Sequence, residues 1–277
     1  MSSWSQSASD TTPAGIWRPE RVEVPRRRAP GDAHLIRVRL RDRPGALAAI
    51  TARLATHAVD VLRLEVLGRE GGFAIDDILV AGAGLSAALA EFGSEVTVLA
   101  DRPGVELRDP GLAMAAACYS LTTAGNEREI YRQLLSASLG LVFAEAGFLC
   151  IRQGYGVLRP MASTVSGLPA LDDQEASLLR SALWSGECLT ADGRVPWVAP
   201  SYRDLLPGGT VAVVPGGAEP FLVLALIRDD AAPFVPAELD RLAALGEVAV
   251  GTLARHGIVE SQQGTSNATG SSSSPRR

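Results

Sequence analysis

Apolar positions change period several times along this chain, and each change marks an element. From His34 to Arg41 (HLIRVRLR), Leu35/Ile36, Val38 and Leu40 alternate with arginines, the pattern of a half-buried strand. Over Ala46–His57 the spacing becomes three and four, with Leu47, Ile50 and Leu54 on one helical stripe. Alternation returns from Val59 to Leu67. The run REGG (Arg69–Gly72) then reads as a hairpin turn, and Phe73–Val80 as the returning strand. A short helix over Leu85–Phe92 and a strand over Glu95–Ala100 close the segment. The order is β-α-β-β-α-β, the split βαβ arrangement of ferredoxin-like folds.

A second segment follows. Leu112–Leu121 predicts a small-residue helix, and Asn126–Glu145 another whose stripe is Ile130, Leu134, Leu135, Ala137, Leu141 and Val142. Strands are expected at Gly147–Gln153 and Gly156–Met161. A helix capped by Asp172 or Asp173 carries Leu178, Leu179, Ala182 and Leu183. Thr210–Val214 reads as a strand, and Phe221–Asp229 as a continuous apolar strand of a central sheet. Pro236 and Glu238 open a last helix with Leu239, Leu242, Leu245, Val248 and Leu253 on its inner face. Residues 1–32 are polar, Pro-rich and aperiodic, and 259–277 are low in complexity, so both are expected to be disordered tails. Between them the expected divisions are one domain at 33–103, a linker at 104–111 and a second domain at 112–258.

The 277 residues suffice for two modest domains. The net charge of −5 gives no reason to expect nucleic-acid binding, and without the two ends the middle is more acidic still. Every basic side chain is arginine; with few Asn, this composition suggests a high-GC bacterial genome. The three cysteines, Cys118, Cys150 and Cys188, are widely separated, without a C-x-x-C, which argues against a disulfide framework or a zinc site. The histidines (His34, His57, His256) are scattered, so no metal site is expected. No apolar run is long enough to span a bilayer. The expected location is the cytoplasm.

The residues HLIRVRLRDRPGALAAITARLATHAVDVLRLEV, with GGFAIDDILV behind them, resemble an ACT domain. The likeness covers His34 to about Arg102, with a D-R-P-G-x-L turn and hairpin spacing in the family's order. It implies a small amino-acid-sensing module, with the ligand at Asp42, Arg43, Pro44, Gly45, Ala46 and Leu47 and a dimer interface beside it. The turn itself supports a binding role. Pro44 fixes φ, Gly45 permits close backbone approach, and unpaired N–H groups at the helix start suit a carboxylate. Asp42 either caps the helix or accepts from an amino group, Leu47 anchors the helix to the sheet, and Arg43 sits at the rim. The alternative is a tight corner and nothing more. The same tetrapeptide recurs at Asp101–Gly104 without a helix directly behind it, and is expected to be a linker turn.

EIYRQLLSASLGLVFAEAGFLCI, ALWSGECLTADG and FLVLALIRDDAAPFVPAELDRLAALGEVAVGTLAR resemble landmarks of a GAF domain over about Leu112–His256. The whole is therefore expected to be α+β, a ferredoxin-like ACT domain plus a GAF-like domain whose central antiparallel sheet is flanked by helices. The likeness implies a pocket lined by Trp184, Glu187, Cys188 and Trp197, with Tyr202 nearby; alternatively the tryptophans are core and Glu187 is solvated. No cyclic-nucleotide signature or bilin-type Cys-His pair is present, and no cofactor is expected. There is no G-x-S-x-G, H-E-x-x-H, P-loop lysine or G-x-G-x-x-G, so no catalytic residues are assigned. Asp76 and Asp77, adjacent in a strand, face opposite sides and do not make a two-carboxylate site. The expectation is a non-enzymatic regulatory protein that binds a small ligand, an amino acid, and pairs as a homodimer. Its protein partner is unknown, and neither nucleic acid nor membrane is involved. The alternatives are a dimerisation scaffold without a ligand, and a thiol reductase of free methionine sulfoxide using Cys188.

Overall fold

The computed structural model describes residues 19–23, 32–105, 109–153, 157–164, 181, 185–192, 210–217, 222–228, 230 and 232–257. A short strand, β1 (Glu20–Arg21), comes first in the chain. The first unit then runs β2 (Ala33–Arg41), α1 (Ala46–Thr56), β3 (Asp60–Glu70), β4 (Phe73–Ala81), α2 (Leu85–Ala90) and β5 (Val96–Pro103). Its strands pair antiparallel in the order β3-β4-β2-β5. The β3–β4 hairpin is tight because Gly71 and Gly72 both take positive φ, 58° and 78°, which residues with a Cβ adopt reluctantly.

Alternation along the strands decides what each face does. Ile36, Val38 and Leu40 of β2 and Ala74, Ile78 and Val80 of β4 pack against Ile50 and Leu54 of α1 and Leu85 and Ala88 of α2. The opposite face presents Leu35, Arg37, Asp77 and Leu79, all of them also buried. The expected half-buried strand is thus a central strand covered on both sides, and Arg37 is 0% exposed.

The second unit contains α3 (Pro110–Thr123), α4 (Glu127–Val142), β6 (Ala146–Gln153), β7 (Val157–Ser163), β8 (Leu189–Asp192), β9 (Thr210–Gly216), β10 (Leu222–Arg228) and α5 (Pro236–Arg255). Its sheet order is β1-β7-β6-β10-β9-β8, antiparallel apart from the β1–β7 pair. Leu222, Leu224 and Leu226 of β10 and Ala212 and Val214 of β9 meet Tyr131, Leu134 and Leu135 of α4 and Leu242, Leu245 and Leu253 of α5. Each such large side chain removed from water contributes about 1.5–3 kcal/mol. Asp109 caps α3 by accepting from the Leu112 N–H at 2.9 Å, and Asn126 caps α4 by accepting from the Glu129 N–H at 2.9 Å.

Several expectations need correction. Residues 1–32 were read as one unfolded tail, but Glu20 and Arg21 pair with Ala162 and Ser163, and Val22 is buried in the second core. Val22 and Val24 alternate over too few residues to set a period, so this edge strand had little signal. The 104–111 linker already contains the start of α3 at Pro110, and β5 continues past Ala100 to Pro103. The GECLTADG stretch supplies an edge strand, β8, paired with β9. The helix expected near Asp172 and Asp173 and the end 259–277 lie outside the described residues, as do residues 1–18 and 24–31.

Candidate functional site

The loop between β2 and α1 is held by its own backbone. The Asp42 N–H donates to the Gly72 carbonyl at 2.9 Å, and the Ala46 N–H to the Arg43 carbonyl at 3.1 Å. Gly45 is the N-cap of α1, with φ 84° and ψ −5°, and no side chain caps this helix. Asp42 therefore does not cap it; its carboxylate faces Arg69 Nε at 3.6 Å. Helix geometry leaves the Leu47 and Ala48 N–H groups without intrahelical acceptors, at the positive end of the dipole. A Cβ built on Gly45 meets no atom within 4 Å, and Gly45 itself is exposed. Leu47 packs onto the first core, as its anchoring role requires. Arg43 pairs with Glu95, both side chains exposed.

One residue near this loop was dismissed in the sequence. Asp76 does face away from Asp77, but it lies on the helix side of the sheet, opposite Val38 and Val66, and is only 2% exposed. Its Oδ1 has no hydrogen-bond partner among the described residues. Burial, with further contributions from Asp77 and Asp42 against an opposing one from Arg69, raises its carboxyl to about 6. Only its Asp type at an apolar-facing strand position signalled this.

Residues 34–97 match the family model of the ACT domain. This segment is an ACT domain. No curated protein matches the chain. Several solved structures similar to it are GAF domains. One, from a phosphoenolpyruvate-protein phosphotransferase of Coxiella burnetii, is 16% identical over 55% of this chain and 96% of its own, with TM-score 0.43. An A. aeolicus GAF domain is 14% identical over 53% and 96%, with TM-score 0.42. A GAF/HD protein of Geobacter sulfurreducens is 21% identical over 48% and 97%, with TM-score 0.39.

The outer face of the ACT sheet abuts the second unit through a buried ionic cluster. Arg37 of β2 forks onto Asp77 of β4, with Nε–Oδ1 at 2.7 Å and Nη2–Oδ2 at 2.8 Å. The same guanidinium donates to Glu238 Oε1 of α5 at 2.9 Å. Arg228 at the end of β10 also donates to Glu238, and to the carbonyls of Val142 at 3.1 Å and Pro233 at 2.9 Å. All four side chains are at most 2% exposed. Burial opposes the Glu238 charge, yet Arg228 and Arg37, with the Val235 N–H, hold its carboxyl below the usual range. Burial and then the neighbouring Arg37, opposed by Glu238, push Arg228 down to about 10, still protonated at neutral pH. Around this cluster lie Arg102 paired with Asp230, Arg241 with Glu65 at 2.6 Å and Arg63 with Asp109 at 3.0 Å. Phe143 of the second unit adds apolar contact to Ala33, Leu35 and Leu79.

The pocket expected in the second unit is described only in part. Trp184, Trp197 and Tyr202 lie outside the described residues. Glu187 is exposed, and its N–H donates to Ser185 Oγ at 3.1 Å. Cys188 packs against the core, and burial together with Asp240 raises its thiol above the ordinary value. Cys150 is fully buried, which holds its thiol protonated. Neither environment favours a thiolate. Among the described residues no group of three His, Cys, Asp or Glu side chains is placed to hold a metal, and no helix is long and apolar enough to cross a membrane.

Proposed function

We propose that this protein is a non-enzymatic regulator that binds an amino acid at the Asp42–Leu47 loop of its ACT domain. Binding is read out through the second, GAF-like unit and through association with a second copy. The observation that carries this reading is the start of α1: a left-handed glycine N-cap, no capping side chain, and open space around that glycine. A ligand carboxylate there gains hydrogen bonds and the favourable end of the helix dipole. The cluster at Arg37 supplies a route onward. The loop follows directly on strand β2, which carries Arg37, and Glu238 lies in the first turn of the helix that packs on the second core, so a shift of β2 is felt by α5.

The test is a thermal-shift screen of the full chain against the twenty amino acids and common nucleotides. A ligand at 100 times its dissociation constant adds about 2.7 kcal/mol, several degrees for domains of this size. The expected result is a shift with one amino acid that Gly45→Asn removes. Asn tolerates the left-handed backbone, so the variant folds while its side chain fills the space before the helix. Absence of any shift sinks the sensor reading.

A second reading, a dimerisation scaffold without a ligand, is favoured by one observation. Edge strand β3 exposes Val61, Leu62 and Val66, at 37%, 55% and 50%. The outer edge of a strand carrying such residues is a template for a second strand. Sedimentation of the ligand-free chain separates the readings: a tight dimer unaffected by every compound supports the scaffold.

A further inference from the structure

Among the described residues, the large apolar side chains left exposed are Val61, Leu62, Val66, Leu112 and Tyr119. Three lie on β3 and two on α3, and the two elements meet: Arg63, next to Leu62, donates to Asp109 at 3.0 Å, three residues before Leu112. Leu112 and Tyr119 are the most exposed, each at 72%. They share one stripe of α3 with Ala115, Ala116 and Thr123, all exposed and spaced by three and four. The opposite side of the helix, at Ala117 and Leu121, is buried in the second core. α3 thus carries two apolar faces, where a helix lying on a single core needs only one.

Drying the outer face costs little. No residue from Pro110 to Thr123 is charged. The Thr122 and Thr123 hydroxyls donate back to the carbonyls of Cys118 and Tyr119, at 2.9 and 2.8 Å, so their hydrogen bonds are made within the helix. The stripe is also symmetric, because Leu112 and Tyr119 stand equally far from the midpoint between Ala115 and Ala116. A two-fold axis through that midpoint, perpendicular to the helix, sets Leu112 against the Tyr119 of a second copy at both ends. The small alanines between them let the two backbones approach. Helices crossing in this way oppose their dipoles, and no like charges meet along the stripe. We infer that α3 is a docking face for a second copy of this chain, packed antiparallel about Ala115 and Ala116. At about 21 Å long, α3 alone falls short of the roughly 1,200 Å² that a stable dimer buries. The exposed residues of β3, reached through the Arg63–Asp109 pair, carry the same apolar surface onto the first unit. This rests on the association with a second copy proposed above and says which surface makes it.

Sedimentation velocity of the full chain over a dilution series reads the association. The expected result is a reversible dimer that Ala116→Glu weakens by about 100-fold or more, because the axis sets the two new carboxylates against each other. Glutamate is a good helix former at this exposed position, so the circular dichroism and melting temperature of the monomer should stay as in the wild type. A second measurement reads the register without adding charge. Leu112→Cys and Tyr119→Cys, mixed and mildly oxidised, should form a disulfide between the two variants in excess over either variant alone and over the wild type with its native cysteines. Cross-linking of each variant only with itself, or not at all, overturns the antiparallel packing. A dimer that survives Ala116→Glu but is lost with Val66→Glu on β3 overturns the α3 face and leaves the association standing. A chain that stays monomeric at every concentration overturns both.

Discussion

Replacing Glu238 with Gln strikes the junction between the two units at the atom where both arginines converge. Glu238 accepts from Arg37 at 2.9 Å, from Arg228, and from the Val235 N–H at 3.0 Å at the start of α5. Glutamine has the same shape and keeps one acceptor oxygen, so the helix cap survives. What is lost is the charge, and the amide NH2 turns a donor towards a guanidinium. Two positive and two negative side chains become two positive and one negative, all in a region at most 2% exposed. Breaking a buried ion pair by removing one partner costs about 3–5 kcal/mol, because the remaining charge is left without water. Whole domains are stable by only about 5–15 kcal/mol, so the loss is large. Urea denaturation followed by far-UV circular dichroism reads it as a lower midpoint, and a second, earlier transition appears if the units uncouple. A change below about 1 kcal/mol would refute the reasoning, showing that the cluster is hydrated and worth no more than a surface pair.

Two further outcomes are expected. The Asp76 carboxyl stands at about 6 in the fold and at about 3.9 unfolded; the folded chain therefore holds this proton more tightly, and the associated stability is full below about pH 4 and lost as pH rises through about 6. Asp76→Asn should accordingly stabilise the ligand-free protein by about 1–3 kcal/mol at pH 7.5 and have little effect near pH 4, as read from thermal melts at both pH values. Gly84→Ala should destabilise by more than about 2 kcal/mol, because a Cβ there would stand 2.0 Å from the His57 carbonyl oxygen, a backbone atom unable to move aside without shifting the end of α1; an unchanged melting temperature would show that the α1–α2 corner has slack.

Local pattern made much of the fold legible. The switch from period two to period three and four placed β2, α1, β3, β4 and α2 within a few residues, because each turns an apolar face to the core between sheet and helices. Asp109 and Asn126 act as caps through bonds that span three residues. The D-R-P-G turn at Asp42 pointed to an open helix start for the same local reason: a left-handed glycine needs no distant partner. Even the second D-R-P-G was read correctly as lacking a helix directly behind it, though Arg102 inside it is buried against Asp230.

Long-range burial is what the sequence withheld. Arg37 alternates in a strand just as Arg39 and Arg41 do, yet it alone is fully buried, because the outer face of β2 is covered by α5 and the end of β10. Periodicity names the face of a residue but not what covers that face, and the covering element here lies some two hundred positions away in the chain. The same holds for Val22, whose strand exists only because the β7 edge accepts it, and for Asp76, a strand aspartate that the fold leaves 2% exposed. The sequence by itself determined the elements and the loop that presents the helix start. Tertiary packing alone decided which charges lose their water, and with that where the two units are locked together.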